Sequence, residues 1–389
     1  MSQDIPVGVH RLHDDVSLDY QLNRLSCLGG GRLDEIRDVA ARIRDLDDWK
    51  REFLALAERA ASEGRTQEEA AYLRAAEFMM ARGDPDKSAA YERQAKLFSQ
   101  LHAADVESGR LRLEAAPYAG GTLPVWSVAP APEGEARGTV VLHGGFDSYG
   151  EELYLLARAF GDAGYETHLF EGPGQGSVLR RQGIPLTTDW EHPVSAVLDH
   201  LGLDGVTLVG LSLGGYLAPR AAAYEPRIRR VVAWGVMWDF FEVALSTRPA
   251  AVRAVMRTLL GLRADALIDR LLARQMRRDP FMRWAVEHGT YALGSETPSA
   301  NFRAMKRFAT RDFSSRITQD VLLLAGTEDH YVPVSHFHRQ AEALTRARSF
   351  TGRLFSAEEH AQTHCQIGNI PLALRVVIDW IEERTESDR

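Results

Sequence analysis

The sequence predicts an α/β protein: a mostly parallel sheet covered by helices, with a helical cap insertion and an all-helical N-terminal domain. Three observations carry this. Apolar residues recur at helical spacing from Ser17 to about Leu101. From Gly138 onward short apolar runs alternate with helical stretches, which implies a parallel sheet covered on both faces. Between the strands at Val231–Trp234 and Val321–Ala325 the sequence reads as helical and rich in Arg, Met and Trp, far longer than an ordinary connection. The expected division is residues 1–104 for the helical domain and 105–389 for the α/β domain, with the cap at about 239–315.

Taken in order, residues 1–16 read as an irregular arm. Leu33, Ile36, Val39, Ala40 and Ile43 then repeat at three- and four-residue steps, as do Trp49, Phe53, Leu56 and Ala57. Tyr72, Leu73, Ala76, Phe78 and Met79 continue the pattern until Gly83-Asp84-Pro85 breaks it. Residues 105–129 switch to period two, with Val106, Leu111, Leu113 and Leu123–Val128 around a turn at Tyr118–Gly121, which predicts a β-hairpin opening the sheet. Residues 130–135 read as a surface loop. The cap helices are expected at Val252–Leu262, Ala264–Gln275 and Phe281–His288. A last strand at Leu354-Phe355 and a helix from about Pro371 to Glu383 close the chain.

Ser212 is the most informative residue. The run Val206–Val209 leads into Gly210-Leu211-Ser212-Leu213-Gly214, and a helix-forming stretch follows. Strand, tight turn and helix are the context in which Gly-x-Ser-x-Gly presents an activated serine. The flanking glycines have no Cβ, so strand and helix can approach closely. The Leu213 N–H and the helix dipole can then face a developing oxyanion. The plainer alternative is a glycine-rich βα turn with an idle serine.

Such a serine needs a base, and the base an orienting acid. After the apolar run Val321–Ala325 the loop past Gly326 carries Glu328 and Asp329, just ahead of Val332-Pro333. Asp329 is the expected acid and Glu328 the alternative. After Phe355 the loop 356–365 holds two candidate bases, His360 and His364. A second oxyanion donor is expected from His143-Gly144-Gly145-Phe146 at the end of the strand Thr139–Leu142, by the N–H of Phe146 or Gly145. Glu171-Gly172-Pro173-Gly174-Gln175-Gly176 lacks the Gly-Lys-Ser/Thr ending of a phosphate loop and reads as the rim of the cleft.

His336 and His338, two residues apart on a predicted helix, point to different faces. No histidine cluster has zinc spacing, and a Ser/His/Asp set needs neither metal nor cofactor. The chain has 389 residues, 45% apolar and 26% charged, an ordinary globular composition. A net charge of −8 argues against a nucleic-acid partner. Two cysteines, Cys27 and Cys365, need no disulfide framework. The polar start, with Asp4, His10 and Arg11, lacks a signal-peptide core, and no apolar run is long enough to span a membrane. A soluble cytoplasmic protein acting on a small molecule is expected.

With the order Ser, Asp, His in hand, residues from about Val106 to Glu383 resemble the α/β-hydrolase superfamily. The helical N-terminal domain, the stretch Ala71–Phe78, the run Glu171–Gly176 and His364-Cys365-Gln366-Ile367-Gly368-Asn369 are similar to a narrower group. It contains 2,6-dihydroxypseudooxynicotine hydrolase and the fungal hydrolases that shorten polyketides in pigment synthesis. The resemblance implies that the base stands just before Cys-Gln, which favours His364 over His360. It implies hydrolysis of a carbon–carbon bond next to a carbonyl, as in β-diketone-like substrates, and a homodimer. An acidic auxiliary after the nucleophile helix is implied as well, for which Asp239 and Glu242 are the candidates; a plain helix cap is the other reading of Asp239. Alternatives are ester, lactone or peptide cleavage by the same triad, a non-hydrolytic cyclase or acyltransferase, and a binding protein with an idle fold.

Overall fold

The computed structural model describes residues 5–131 and 135–387. Asp4 and residues 132–134 of the expected surface loop lie outside the described residues. The chain divides into two compact units, one of residues 8–104 and 248–304, the other formed mainly by residues 105–247 and from 305 onward.

The first unit begins with α1 (Val16–Cys27), α2 (Leu33–Ala40), α3 (Leu46–Ser62), α4 (Thr66–Met79) and α5 (Pro85–Leu101). Their starts follow from capping chemistry. Asp15, Asp45 and Asp84 each accept first-turn N–H groups, and Pro85 occupies the first turn of α5, where no N–H is needed. The periodic residues converge on one core around Trp49, Phe53, Tyr72 and Ala76. The Trp49 indole N–H donates to Ala75 O at 2.8 Å, so the buried ring keeps its polar atom satisfied.

In the second unit a short helix α6 (Ala103–Glu107) precedes β1 (Leu111–Tyr118), β2 (Gly121–Val128), β3 (Thr139–His143), α7 (Gly150–Asp162) and β4 (Glu166–Phe170). Then come α8 (Gly176–Gln182), α9 (Glu191–Leu201), β5 (Val206–Leu211), α10 (Gly214–Ala222), β6 (Ile228–Trp234) and α11 (Phe240–Ala244). The helices α12 (Ala250–Gly261), α13 (Asp265–Met276), α14 (Pro280–Ala292) and α15 (Pro298–Met305) interrupt it. It resumes with β7 (Asp320–Gly326), α16 (Ser335–Ala343), β8 (Ser349–Phe355) and α17 (Ile370–Ser387).

The sheet has the order β1-β2-β4-β3-β5-β6-β7-β8. β1–β2 and β2–β4 pair antiparallel, and the remaining neighbours are parallel. β5 and β7 are buried at every position, which is why they read as unbroken apolar runs rather than alternating ones. Registers such as His143↔Gly210, Leu211↔Trp234 and Gly326↔Phe355 bring the carboxyl ends of β3, β5, β6, β7 and β8 to one edge, where ligands bind in open α/β sheets.

Two expectations shift. Val106 lies in α6, not in the hairpin, because the turn at Ser108-Gly109 separates it from the strand. The last strand starts at Ser349, five residues ahead of the apolar pair that signalled it. As a sheet edge paired only through β7 it is partly exposed, so its first residues carry little apolar signal. A third finding concerns the inserted helices. Phe281 and Trp284 of α14 pack on the core of α1–α5. The Trp284 indole N–H donates to Phe78 O at 3.0 Å, and Arg82 sits 4.5 Å over the Tyr291 ring. The segment 248–304 therefore shares its compact unit with the N-terminal helices. No helix among the described residues is long and apolar enough to cross a membrane.

Candidate active site

β5 ends at Leu211, and Ser212 takes φ +58°, the left-handed conformation rare for a residue with a Cβ. The turn survives because both sides are locked. Ser212 N–H donates to Trp234 O at 2.9 Å, and Gly215 N–H donates back to Ser212 O at 2.8 Å. A Cβ at Gly210 would lie 2.3 Å from Gly214 O, so strand and helix pack backbone to backbone there. Leu213 caps α10, whose first turn faces the same carboxyl edge.

The loop after β7 and the loop after β8 are joined. Thr327 N–H donates to Phe355 O and Glu328 N–H to Gln362 O, each at 2.9 Å. Gly326 permits this approach, since a Cβ there would lie 2.1 Å from Gln362 O. The junction brings Asp329 to His364: Nδ1–H donates to Asp329 Oδ2 at 2.6 Å, and Nε2 accepts from Ser212 Oγ at 2.8 Å. The other carboxylate oxygen, Oδ1, accepts from the N–H groups of Tyr331 and Val332, both at 2.9 Å. Ser212, His364 and Asp329 thus form one continuous hydrogen-bonded line. The alternatives sit elsewhere. Glu328 is exposed, and His360 is exposed at φ +55°, ending a short 3-10 turn.

Burial by itself would lower the proton affinity of the His364 imidazole, but the Asp329 carboxylate outweighs it and raises that affinity well above the ordinary histidine value. Asp329 shows the counterpart. Burial favours its neutral form, yet His364 and the two backbone N–H groups hold it ionised below the usual carboxylate range.

The loop after β3 carries the two expected oxyanion donors, Gly145 and Phe146. Gly145 N–H donates to Ser148 Oγ at 2.9 Å. That N–H is therefore committed within its own loop. The loop lies hard against the Ser212 turn: a Cβ at Gly145 would fall 2.6 Å from Leu213 N. His143 is buried and held neutral, its proton affinity lowered to about 4 by burial. Its Nε2 accepts from Trp190 Nε1 at 3.3 Å, so Nδ1 carries the proton and donates to Gly144 O at 2.9 Å.

Asp239 is the N-cap of α11, accepting from Glu242 N–H at 3.0 Å, and it pairs with Arg311. Glu242 pairs with Arg339 at 2.6 Å and approaches His336 Nε2 at 3.4 Å. Both acidic candidates are thus engaged in ion pairs and a cap. Sequence reasoning missed the role of residues 171–179, which are buried throughout and do not form an open rim. Gln175 Nε2 donates to both Gly144 O and Gly145 O at 2.9 Å. The one available signal was a polar side chain inside a glycine-rich run that binds no phosphate.

A parallel sheet carrying a serine elbow, with His and Asp supplied from later loops, defines an α/β hydrolase. Residues 140–362 match the family model for the alpha/beta hydrolase fold, and the chain belongs to that family and is a hydrolase. Among its relatives, Hydrolase LUC6 of a Fusarium species is 30% identical over 96% of this chain and 98% of that protein. The 20-hydroxy-prefusarin hydrolase FUS2 of Gibberella moniliformis is 30% identical over 91% of this chain and 92% of its own length. In fold, the chain is similar to the crystal structure of 2,6-dihydroxy-pseudo-oxynicotine hydrolase, with TM-score 0.64 and 23% identity over 92% and 94% of the two chains.

Proposed function

We propose that this hydrolase cleaves a carbon–carbon bond next to a carbonyl, in a β-diketone or polyketide-like small molecule, with Ser212 as nucleophile. The observation that carries the reading is the hydrogen-bonded line from Ser212 Oγ through His364 to Asp329, at 2.8 and 2.6 Å. His364 Nε2 takes the hydroxyl proton as Oγ bonds to the carbonyl carbon, and the carbonyl π electrons move onto oxygen. The N–H groups of Leu213 and Phe146 stabilise that oxyanion. Collapse re-forms the carbonyl and breaks the carbon–carbon bond. The electron pair leaves as an enolate, and His364 returns its proton to that fragment. Water, deprotonated by His364, then cleaves the acyl-enzyme ester.

A simple carbanion leaves poorly, so the chemistry selects a fragment whose charge a second carbonyl can accept. This agrees with the β-diketone class that the sequence resemblance implies, and with a relative named for hydrolysing 20-hydroxy-prefusarin. Asp239 and Glu242 enter the reading as cap and ion-pair partners, without a proton-transfer step. The enzyme acts as a cytoplasmic homodimer; light scattering that returned a monomer would exclude the dimer.

The test is turnover of a symmetrical β-diketone beside an aryl ester of similar size, in water labelled with heavy oxygen. One label in the acid product of the diketone, lost in Ser212→Ala, supports carbon–carbon hydrolysis. Turnover of the ester alone would make the chain an esterase with the same triad, and an unlabelled product would point to cyclisation or acyl transfer.

A further inference from the structure

We infer that Gln175 is a positioning residue of the oxyanion hole. It sets the direction of the Phe146 N–H before any substrate arrives. This rests on the proposed nucleophilic role of Ser212.

Gln175 is 2% exposed, and its amide is fully engaged. Oε1 accepts from Gly172 N–H at 2.9 Å, which holds the amide within its own loop. Nε2 has two hydrogens, and both go to consecutive carbonyls of another loop, Gly144 O and Gly145 O, each at 2.9 Å. In an extended chain successive carbonyls point to opposite sides, so a single donor gripping two neighbours enforces a turned backbone.

The consequence follows from peptide geometry. In a planar trans peptide the N–H points opposite to the C=O. Fixing Gly144 O directs the Gly145 N–H, and that group is found on Ser148 Oγ at 2.9 Å. Fixing Gly145 O directs the Phe146 N–H away from Gln175. The same loop is pressed on the nucleophile turn, since a Cβ at Gly145 would lie 2.6 Å from Leu213 N and 3.0 Å from Ser212 Cβ. The far end of the loop is held as well. Glu171, from the same glycine-rich run as Gln175, accepts from Gly150 N–H at 2.8 Å and from Ser177 N–H and Oγ at 2.8 and 2.7 Å. The run 171–177 therefore grips both ends of residues 144–150.

This arrangement matters because an oxyanion hole works by preorganisation: its donors need to be fixed where charge develops, not where the ground-state carbonyl sits. A buried amide that merely satisfied backbone carbonyls would affect folding and little else. A positioning amide affects the transition state.

The experiment separates the two. Gln175→Leu removes all three hydrogen bonds, and Gln175→Glu keeps the acceptor for Gly172 N–H while weakening the grip on the carbonyls. Both are compared with wild type on p-nitrophenyl butyrate and its thiono analogue, whose sulfur accepts hydrogen bonds poorly. A fluorophosphonate counts competent serines at the end point. The expected result is one adduct per chain in every protein and KM within about two-fold. Loss of one oxyanion donor costs roughly 100- to 1,000-fold, so misdirecting one is expected to lower kcat about 10- to 100-fold. The preference for the oxygen ester should collapse by a similar factor.

An unchanged oxygen-to-sulfur preference, or a kcat that falls only in step with the labelled fraction, overturns the proposal. Failure of both variants to fold does so too, because Gln175 is then a residue of the fold alone. A wild type that takes no adduct, or a Ser212→Ala protein that still takes one, removes the nucleophile reading itself and this inference with it.

Discussion

Gly145 and Leu213 belong to different loops, yet a Cβ on the first would lie 2.6 Å from the backbone nitrogen of the second. The loop after β3 and the elbow after β5 thus meet backbone to backbone, where two N–H groups can converge on one oxygen. Both strands are neighbours in the sheet, with His143 in register with Gly210, so the meeting follows directly from topology.

That closeness makes Gly145→Ala informative. The new methyl group would meet Leu213 N, Leu211 O and Ser212 Cβ at 2.6, 2.8 and 3.0 Å, all in the elbow itself. The loop has to retreat and carry Phe146 with it. We expect kcat for an aryl ester to fall about 100-fold or more, as when an oxyanion donor is deleted. Activity near wild type would mean that the elbow, not the loop, supplies the stabilisation.

The pH profile follows from the Asp329–His364 pair. Only neutral His364 accepts the serine proton, and Asp329 raises its proton affinity well above the usual histidine value of 6.5. log kcat/KM should therefore rise with pH, with its midpoint above 6.5. Asp329→Asn removes the charge that favours the protonated ring. Its midpoint should move to lower pH while the plateau drops by up to about 10,000-fold, because the ring also loses its orienting acceptor. A midpoint that stays in place in the variant would contradict the assigned pair.

His360 and His364 should behave in opposite ways. His364→Ala is expected to slow phosphonylation of Ser212 by three orders of magnitude or more, on the order seen when a triad base is removed. His360→Gly should leave the rate within about two-fold and raise the melting temperature slightly, because φ +55° costs glycine nothing. Slow labelling in the His360 variant would reverse the assignment.

Gly215→Ala tests the turn as a packing device. On helix propensity alone alanine would gain up to about 1 kcal/mol over glycine. Here its Cβ would fall 1.7 Å from Gly235 O, a backbone atom. Overpacking of this kind costs about 1–3 kcal/mol or more. A lower denaturation midpoint is expected, and a stabilised protein would show that α10 can move away from the end of β6.

Asp239→Ala separates a cap from a catalytic auxiliary. Losing the cap costs about 1 kcal/mol. The Arg311 pair adds little, because that guanidinium is 48% exposed and screened by water. The variant should be less stable in denaturant and still phosphonylate Ser212 at the wild-type rate. Unchanged stability with lost turnover would instead assign Asp239 to proton transfer.

Much of this molecule can be read locally. A run of apolar residues ending in Gly-x-Ser-x-Gly predicts a buried strand and a tight turn, and the chain order Ser, Asp/Glu, His narrows the partners of Ser212 to Asp329 or Glu328 and to His360 or His364. The edge strand β8 and the helix containing Val106 were harder, because half-exposed positions leave weak apolar periodicity.

Residue types and their spacing decided the elements, the elbow and the short list of acids and bases. Tertiary structure joined His364, and not His360, to Asp329 through a 2.6 Å bond, and it placed the Gly145 N–H on Ser148 Oγ. It also decided that Gln175 braces a loop 30 residues away and that residues 248–304 share a unit with the N-terminal helices. The physical reason is the same in each case. Periodicity reports which face of an element avoids water, whereas a hydrogen bond depends on where two distant backbones meet.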